Sequence, residues 1–182
     1  AGESKRFNSN TPKPYIIYKG KPIIQHSIDK AKKCKKINKI LLVINKKHKK
    51  FVKVANTKKI KIIVGGKTRA ESSYKALQSL KKIKIKNVLI HDAARPNFSI
   101  KLLDRLINEL KKNKSVVPAI KSKDTVKFKN KNLIINLNRD YIYLTQTPQA
   151  FDYKELCKLQ NNISSKITDD SNLFIKNNKK VK

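Results

Sequence analysis

The chain has 182 residues and a formal net charge of +33, with 45 basic and 12 acidic residues. That length suits a single domain with its own hydrophobic core, and no apolar run reaches the roughly 20 residues of a membrane-spanning helix. Cys34 and Cys157 are too far apart for a metal-binding or redox motif, which favours reduced thiols in a cytoplasmic protein. Because the sequence contains no Met, we expect the natural chain to extend beyond both ends.

The positive charge is spread along the chain and is almost entirely lysine. Lysines scattered without interleaved aromatic residues are typical of solvated faces. A basic nucleic-acid-binding module is the alternative from another functional class, but we expect only weak, salt-sensitive binding to nucleic acid and no specific recognition. Against this background the five arginines indicate places where a planar guanidinium must grip phosphate or carboxylate. Four of them lie in loop-like motifs, namely Arg6, Arg69, Arg95 and Arg139.

Hydrophobic periodicity predicts strands and helices in alternation through residue 120. A short apolar run at 15–18 is followed by a turn. Continuous apolar runs are typical of strands buried on both faces of a parallel sheet; the predicted strands are 39–44, 61–64, 87–91 and 115–120, the last with a proline. One predicted helix begins at Pro22, and three others cover 46–56, 68–81 and 100–112.

The pattern changes after residue 120. Two strands at 125–128 and 133–136 are joined by a polar hairpin at 129–132. The remaining predicted elements are a strand at 141–144 and helices at 151–160 and 171–177, the last preceded by the capping residues Thr168-Asp169-Asp170. The order of strands and helices predicts an α/β fold with a mostly parallel, twisted sheet, helices on both faces and right-handed connections. Ligands should bind beyond the carboxyl ends of the strands, where the loops at 65–66, 91–96 and 120–125 are expected to converge.

The polar residues concentrate in loops that follow predicted strands. Gly65-Gly66 leads to Arg69 and Ser72, which supply donors at a helix start, although a tight strand-to-helix turn explains the glycines equally well. His91-Asp92-Ala93-Ala94-Arg95-Pro96 ends a buried strand and offers a metal or hydroxyl ligand beside a phosphate clamp, with a structural Asp–Arg pair as the alternative. His91 itself is interpreted as a satisfied residue at a strand end.

The opening segment combines Gly2 with Arg6 and Lys13, which suits a polyphosphate because backbone N–H groups and two cations can face it. Apart from Asp92, the candidate groups of the chain are cations or neutral donors. This pattern is typical of phosphoryl or nucleotidyl transfer, in which positioning and neutralisation of charge do most of the catalysis.

In order and spacing, these motifs resemble the 2-C-methyl-D-erythritol 4-phosphate cytidylyltransferase family. The matching stretches span nearly the whole chain: Ala1-Gly2, Arg6, Pro12-Lys13, Gly65 to Ser72, His91 to Pro96, Asp124-Thr125, Arg139, Gln146 to Phe151 and Thr168 to Asp170. The resemblance implies one nucleotide-diphospho-sugar transferase-like domain over 1–182, with a protruding β-arm at about 125–140 that joins two subunits into a homodimer.

The resemblance also implies an activity: a bacterial cytoplasmic enzyme would join CTP and 2-C-methyl-D-erythritol 4-phosphate, with Mg²⁺, in non-mevalonate isoprenoid biosynthesis. The products would be 4-diphosphocytidyl-2-C-methyl-D-erythritol and pyrophosphate. By position, the implied catalytic residues are Arg6, Lys13 and Arg139, the last gripping the substrate phosphate across the dimer. The implied CTP contacts are Ala1, Gly2, Gly66 and Ser72. The implied substrate contacts are Asp92, Arg95, Thr125 and Thr147, and the metal ligands are left open.

Several features depart from the family pattern. Ser4 stands where the family usually has Gly, and Pro14 where Gln is common. The resemblance implies that the family's hydrophobic first strand and its C-terminal Asn-x-Lys motif fall outside these 182 residues, so we expect this piece alone to be poorly stable and nearly inactive. The related ribitol-5-phosphate cytidylyltransferases are the nearest alternative, and some relatives carry a further pathway enzyme as a C-terminal fusion.

Overall fold

The structure, a computed structural model, describes residues 11–160 and 169–182. The predicted sites at Ala1, Gly2 and Arg6, and the start of the Thr168-Asp169-Asp170 motif, lie outside these ranges. The α-helices are α1 Ile23–Lys33, α2 Arg69–Gln78, α3 Ile100–Glu109, α4 Tyr153–Leu159 and α5 Ser171–Lys176. The strands are β1 Ile17–Tyr18, β2 Lys21–Pro22, β3 Ile40–Ile44, β4 Ile60–Val64, β5 Asn87–Ile90, β6 Ser115–Val116, β7 Ala119–Lys121, β8 Val126–Asn130, β9 Leu133–Leu137, β10 Tyr143–Thr145 and β11 Gln149–Asp152.

An α/β fold is confirmed, but a mostly parallel sheet is not. Within the described ranges, β3 and β4 form the parallel pair, with Leu42 opposite Ile62. Strand β11 lies between β5 and β6 and runs antiparallel to both. β11 was not predicted, because its apolar part is only Ala150-Phe151. The helix predicted from residue 151 begins at Tyr153 instead, as α4.

Three further predictions differ from the structure. The stretch at 46–56 forms a 3₁₀ turn, Lys46–Phe51, with no buried residue, because its lysines leave no apolar stripe to hold an α-helix. The strand predicted at 115–120 is split into β6 and β7 at Pro118, which has no N–H to donate to a sheet. The strand predicted at 141–144 begins later, as β10, after a 3₁₀ turn at Arg139–Tyr141.

The hairpin is formed as predicted. β8 and β9 pair antiparallel from Val126 opposite Leu137 to Asn130 opposite Leu133, and Lys131 takes a left-handed conformation in the turn. Both strands are largely exposed, including their large apolar residues Phe128, Leu133, Ile134 and Ile135.

A core cluster beside β11 positions the site. Phe151 of β11 stacks on Phe174 of α5 with ring centroids 5.5 Å apart, and both are fully buried. Leu156 of α4 and Leu77 of α2 pack in the same cluster. The first turn of α5 is therefore fixed against the sheet and against α2. No helix in the described ranges is long and apolar enough to cross a membrane.

Candidate active site

A polar pocket lies where the loops after β4, β5 and β10 meet the segment before α5. Its volume of about 210 Å³ lies below the 300–1,000 Å³ usual for drug-sized ligands, so it suits a small polar molecule or part of a larger one. The residues that line it are Arg69, Asp92, Arg95, Thr145, Thr147, Gln149 and Asp169.

The turn between β4 and α2 delivers Arg69 to this pocket. Thr68 caps α2 by accepting the Glu71 N–H at 3.1 Å. The Ser72 hydroxyl donates to the Thr68 carbonyl at 2.8 Å and accepts the Gly66 N–H at 3.1 Å. A Cβ on Gly66 would lie 2.3 Å from the Cβ of Glu71, so only glycine permits this close approach. Gly66 and Ser72 thus shape the turn, and their contact with CTP stays a prediction.

Arg69 lies between two carboxylates. Its Nη1 is 2.6 Å from Oδ2 of Asp170, and its Nε is 3.9 Å from Oδ1 of Asp92. Within 11–160 and 169–182, neither Nη1 nor Oδ2 has a hydrogen bond of normal angular geometry, so the closer contact is an ion pair and not a bidentate hydrogen bond. The guanidinium links the buried start of α5 to the pocket.

Asp170 is buried, with 2% of its side chain exposed. Its Oδ1 accepts the Ser73 hydroxyl at 3.0 Å, and Ser73 in turn accepts the Gln160 amide at 3.2 Å. Of the predicted capping residues Asp169 and Asp170, Asp169 accepts the Ser171 N–H at the start of α5, whereas the Asp170 side chain makes no cap hydrogen bond among the described residues and turns to Arg69 and Ser73 instead.

The neighbouring Asp169 faces the pocket. Its carboxylate accepts the Ser171 N–H at 2.7 Å, the Gln149 amide at 2.6 Å and the Thr145 hydroxyl at 3.5 Å. Burial acts to raise the pKa of Asp169, but the hydrogen bonds from Ser171 and Gln149 and the charge of Arg69 outweigh it and lower that pKa. Asp169 is therefore an ionised acceptor at neutral pH.

The loop after β5 supplies a second Asp–Arg pair. The Arg95 N–H closes a turn on the Asp92 carbonyl at 2.9 Å, and Arg95 Nε lies 3.2 Å from Asp92 Oδ2. Arg95 also donates to the side chain of Gln146 at 3.1 Å. The structural Asp–Arg pair considered from the sequence is present, and both of its members line the pocket.

His91 sits behind Thr147. Its Nδ1 is 3.0 Å from the Thr147 hydroxyl oxygen, which also accepts the Asp92 N–H at 3.3 Å. Phe98 packs edge-on to the imidazole with ring centroids 4.6 Å apart. Burial lowers the pKa of His91 to about 4, against the opposing charge of Asp92, so the ring is neutral at neutral pH. The contact with Thr147 and a backbone hydrogen bond to Arg95, which acts to raise the pKa of His91, support its interpretation as a satisfied residue, although Nε2 makes no hydrogen bond of normal geometry to the part of the chain that the structure describes.

The structure brings some predicted site residues together and leaves others apart. Asp92, Arg95 and Thr147 line the pocket. Thr125 and Arg139 are exposed at the base of the hairpin, where Arg139 donates to the Lys123 carbonyl at 3.1 Å. The loop at 120–125 does not line the pocket within one chain, although its position after a strand predicted convergence. Lys13 is exposed in the 3₁₀ turn Lys13–Tyr15 and does not line this pocket either.

Sequence reasoning missed several pocket residues. Arg69 was singled out as a donor because arginine is scarce, yet it received no role. Asp169 and Asp170 were interpreted only as caps. The pocket residues without a predicted role are Arg69, Thr145, Gln149 and Asp169.

The described residues do not fit a metal held by protein ligands alone. No group of three His, Cys, Asp or Glu side chains is placed to hold an ion within 11–160 and 169–182. The pocket carboxylates Asp92 and Asp169 are already occupied by arginine or amide groups. The Mg²⁺ expected from the resemblance stays a prediction about the phosphates of the nucleotide, which bind that ion directly.

All 182 residues match the family of 2-C-methyl-D-erythritol 4-phosphate cytidylyltransferase. The chain is 65% identical over 181 residues to the bifunctional enzyme IspD/IspF of Pelagibacter ubique, which covers 100% of the chain and 49% of the relative. It is 35% identical to the 2-C-methyl-D-erythritol 4-phosphate cytidylyltransferase of Clostridium beijerinckii over 94% of the chain and 80% of the relative. The chain thus spans about half the length of the bifunctional relatives that it matches.

Solved structures give the same result. The 4-diphosphocytidyl-2C-methyl-D-erythritol synthase of Anaerococcus prevotii superposes with a TM-score of 0.83 at 36% identity, covering 93% of this chain and 79% of that one. The bifunctional IspDF of Campylobacter jejuni gives a TM-score of 0.82 at 33% identity, covering 100% of this chain and 46% of that one.

The Asp170→Asn variant of the intact protein should lose stability, because it removes the nearer, buried carboxylate partner of the Arg69 guanidinium. We expect the free energy of unfolding to fall by about 3 kcal/mol. Asp104→Asn is the matched control, because Asp104 pairs with Lys36 on the surface at 3.2 Å, and it should change stability much less. Urea unfolding measures both, and equal losses would contradict the role given to Asp170.

The stability contributed by His91 should depend on pH. As the pH falls from 6.5 to about 4, His91 takes up a proton in the unfolded chain but not in the folded one, so folding weakens. Below about 4 both states are protonated and the effect levels off. The lowered pKa corresponds to about 3 kcal/mol at most. Urea unfolding across this range, compared with the non-titrating His91→Asn variant, measures the effect; a constant difference between the two proteins would contradict it.

Proposed function

Because the chain belongs to the 2-C-methyl-D-erythritol 4-phosphate cytidylyltransferase family, we propose that it transfers a cytidylyl group from CTP to 2-C-methyl-D-erythritol 4-phosphate. A phosphate oxygen of the polyol phosphate attacks the α-phosphorus of CTP. The new P–O bond forms as the bond to the β-phosphate breaks, and pyrophosphate leaves. The attacking oxygen is already ionised, so the reaction needs neither a protein nucleophile nor a general base. The observation that carries this proposal is the pocket built from Arg69, Asp92, Arg95 and Thr147.

The pocket suits the polyol phosphate better than the triphosphate. Two carboxylates, Asp92 and Asp169, would repel a polyanion but can accept hydrogen bonds from hydroxyl groups. Arg95, whose side chain is half exposed, can turn to a phosphate at the rim. The pocket volume of about 210 Å³ also fits the polyol phosphate, which is the smaller of the two substrates. We therefore assign the pocket to the polyol and its phosphate.

The triphosphate is proposed to lie against the opening segment and the start of α2. Arg6 and Lys13 would neutralise charge on the α-phosphate during attack, with Ala1, Gly2, Gly66 and Ser72 as the other CTP contacts. The exposure of Lys13 supports this, because its ammonium group is not buried within its own chain. Mg²⁺ would accompany the nucleotide.

A homodimer is proposed through the β8–β9 hairpin. Leu133 and Ile134 have 57% and 56% of their surface exposed, and Phe128 has 47%. Apolar surface of this kind marks an interaction site, and the resemblance implies that a second copy covers it. Thr125 and Arg139 at the base of the hairpin would then reach the partner's pocket, where Arg139 would hold the substrate phosphate.

The proposal concerns cytidylyl transfer alone, since the chain matches about half of the bifunctional relatives. The 1–182 stretch is proposed to form one domain. Cys34 and Cys157 are free thiols, as in proteins of a reducing compartment, which supports the proposed bacterial cytoplasmic location.

The intact protein should release pyrophosphate from CTP when 2-C-methyl-D-erythritol 4-phosphate is present. Release with ribitol 5-phosphate only would contradict the choice of substrate. To tie the activity to this pocket, Asp92→Asn should raise the KM for the polyol phosphate about tenfold, the effect of losing a charge-assisted hydrogen bond. Asp104→Asn makes the same chemical change on the surface of α3 and should leave the KM unchanged.

Two inactive variants should complement each other if Arg139 acts across the dimer. An equimolar mixture of Arg139→Ala and Arg95→Ala forms mixed dimers in which one pocket has both arginines. Subunit exchange should therefore restore about a quarter of the wild-type activity. Adding Ile134→Lys to both chains should disrupt the hairpin contact and abolish the recovery. Size-exclusion chromatography with light scattering gives the oligomeric state. Two dimeric variants that exchange subunits without recovery would show that Arg139 serves its own chain.

A further inference from the structure

The two carboxylate oxygens of Asp169 have different surroundings. Oδ1 accepts the Ser171 N–H at 2.7 Å and the Ser171 hydroxyl at 2.5 Å. Oδ2 accepts the Gln149 amide at 2.6 Å and, at the longer distance of 3.5 Å, the Thr145 hydroxyl. Gln149 and Thr145 both line the pocket, whereas Ser171 is not among the residues that line it in the described part of the chain. Oδ2 is therefore the oxygen on the pocket side.

Oδ2 has room for one more strong hydrogen bond. A carboxylate offers about four acceptor positions on its two oxygens. Three of those on Asp169 are filled by donors between 2.5 and 2.7 Å away. The Thr145 hydroxyl, at 3.5 Å, lies at the limit of hydrogen-bond distance and is a weak fourth donor. A donor on a bound ligand can take that fourth position.

The carboxylate is oriented before any ligand arrives. Gln149, which holds Oδ2, has 1% of its surface exposed. It is the first residue of β11 and pairs with Ile90, the last residue of β5, and the loop after β5 carries Asp92. Both pocket carboxylates are thus tied to the same end of two paired strands. A ligand that meets Asp169 need not order it, which lowers the cost of binding.

The charge of Asp169 limits which ligand groups it can take. Burial acts to raise its pKa, but the hydrogen bonds from Ser171 and Gln149 and the charge of Arg69 outweigh burial and lower that pKa. An ionised carboxylate only accepts hydrogen bonds, and it repels a phosphate. The fitting partner is a hydroxyl group.

We propose that Asp169 is a specificity-determining residue that accepts, through Oδ2, a hydrogen bond from one hydroxyl group of the polyol phosphate. The inference rests on the proposed function and adds to it the residue that selects a hydroxyl-bearing substrate. An analogue without that hydroxyl leaves Oδ2 with only the long contact to Thr145. A site built to bind a hydroxyl rejects a substrate that lacks it much more strongly than an apolar pocket rejects an extra methylene.

The test combines variants of the intact protein with monodeoxy analogues of 2-C-methyl-D-erythritol 4-phosphate that lack the hydroxyl at C1, C2 or C3. The kcat/KM of the wild-type protein should fall about tenfold or more with the analogue that lacks the hydroxyl bound by Asp169. Asp169→Asn should lose about tenfold with the full substrate but little further with that analogue, because the same interaction is then already missing. Asp92→Asn and the surface variant Asp104→Asn should still discriminate against it.

The outcomes separate this inference from the proposed function. A wild-type protein that turns over no polyol phosphate would overturn both. Normal turnover with equal kcat/KM for the substrate and every analogue would overturn the role of Asp169 alone. The same holds if Asp169→Asn loses one common factor with the substrate and with all analogues. If Asp169→Asn does not fold, Asp169→Glu keeps the charge near Arg69 but moves the oxygens, and it should lose the same discrimination; discrimination equal to that of the wild type would overturn the proposal.

Discussion

The ion pair between Arg69 and Asp170 connects the core to the pocket. A buried carboxylate is tolerated only with a charged or hydrogen-bonded partner, and Asp170 has Arg69 at 2.6 Å and Ser73 at 3.0 Å. Its position follows from α5, which Phe174 holds against Phe151 of β11. Packing of the sheet therefore fixes the helix, the helix fixes Asp170, and Asp170 fixes the guanidinium that faces Asp92.

The chain carries a large positive charge, yet the pocket is lined by both positively and negatively charged side chains. Arg69 and Arg95 are each paired with a carboxylate, and Asp169 is held ionised by hydrogen bonds from Ser171 and Gln149. Such a lining can hold hydroxyl groups by donation to carboxylates and a phosphate by the arginines at the rim. The remaining cations, Arg6, Lys13 and Arg139, are proposed to act on the nucleotide side or from a second subunit. The lysines elsewhere need no part in the chemistry.

Periodicity predicted the elements whose apolar pattern is long enough to be distinctive. β3, β4, β5, α2 and α3 lie within a few residues of their predicted bounds. β11 was missed because only Ala150 and Phe151 form an apolar run there. The strand is defined by its pairing with β5 and β6, which the local sequence pattern does not show. The side-chain contacts of Asp169 and Asp170 could not be predicted, for a different reason. A sequence shows a residue suited to a helix cap, but the direction of its side chain depends on Arg69, about 100 positions away. The scarcity of arginine and the position of Arg69 at a helix start after Gly65-Gly66 pointed to that residue but not to its carboxylate partners.

The most direct test of this account is the steady-state kinetics of the intact Arg69→Lys variant with both substrates. Lysine keeps one charge for Asp170 but lacks the planar fork that reaches both carboxylates. If Arg69 organises the polyol-phosphate pocket, the KM for 2-C-methyl-D-erythritol 4-phosphate rises about tenfold while the KM for CTP changes far less. An increase confined to CTP, or no change for either substrate, would contradict it.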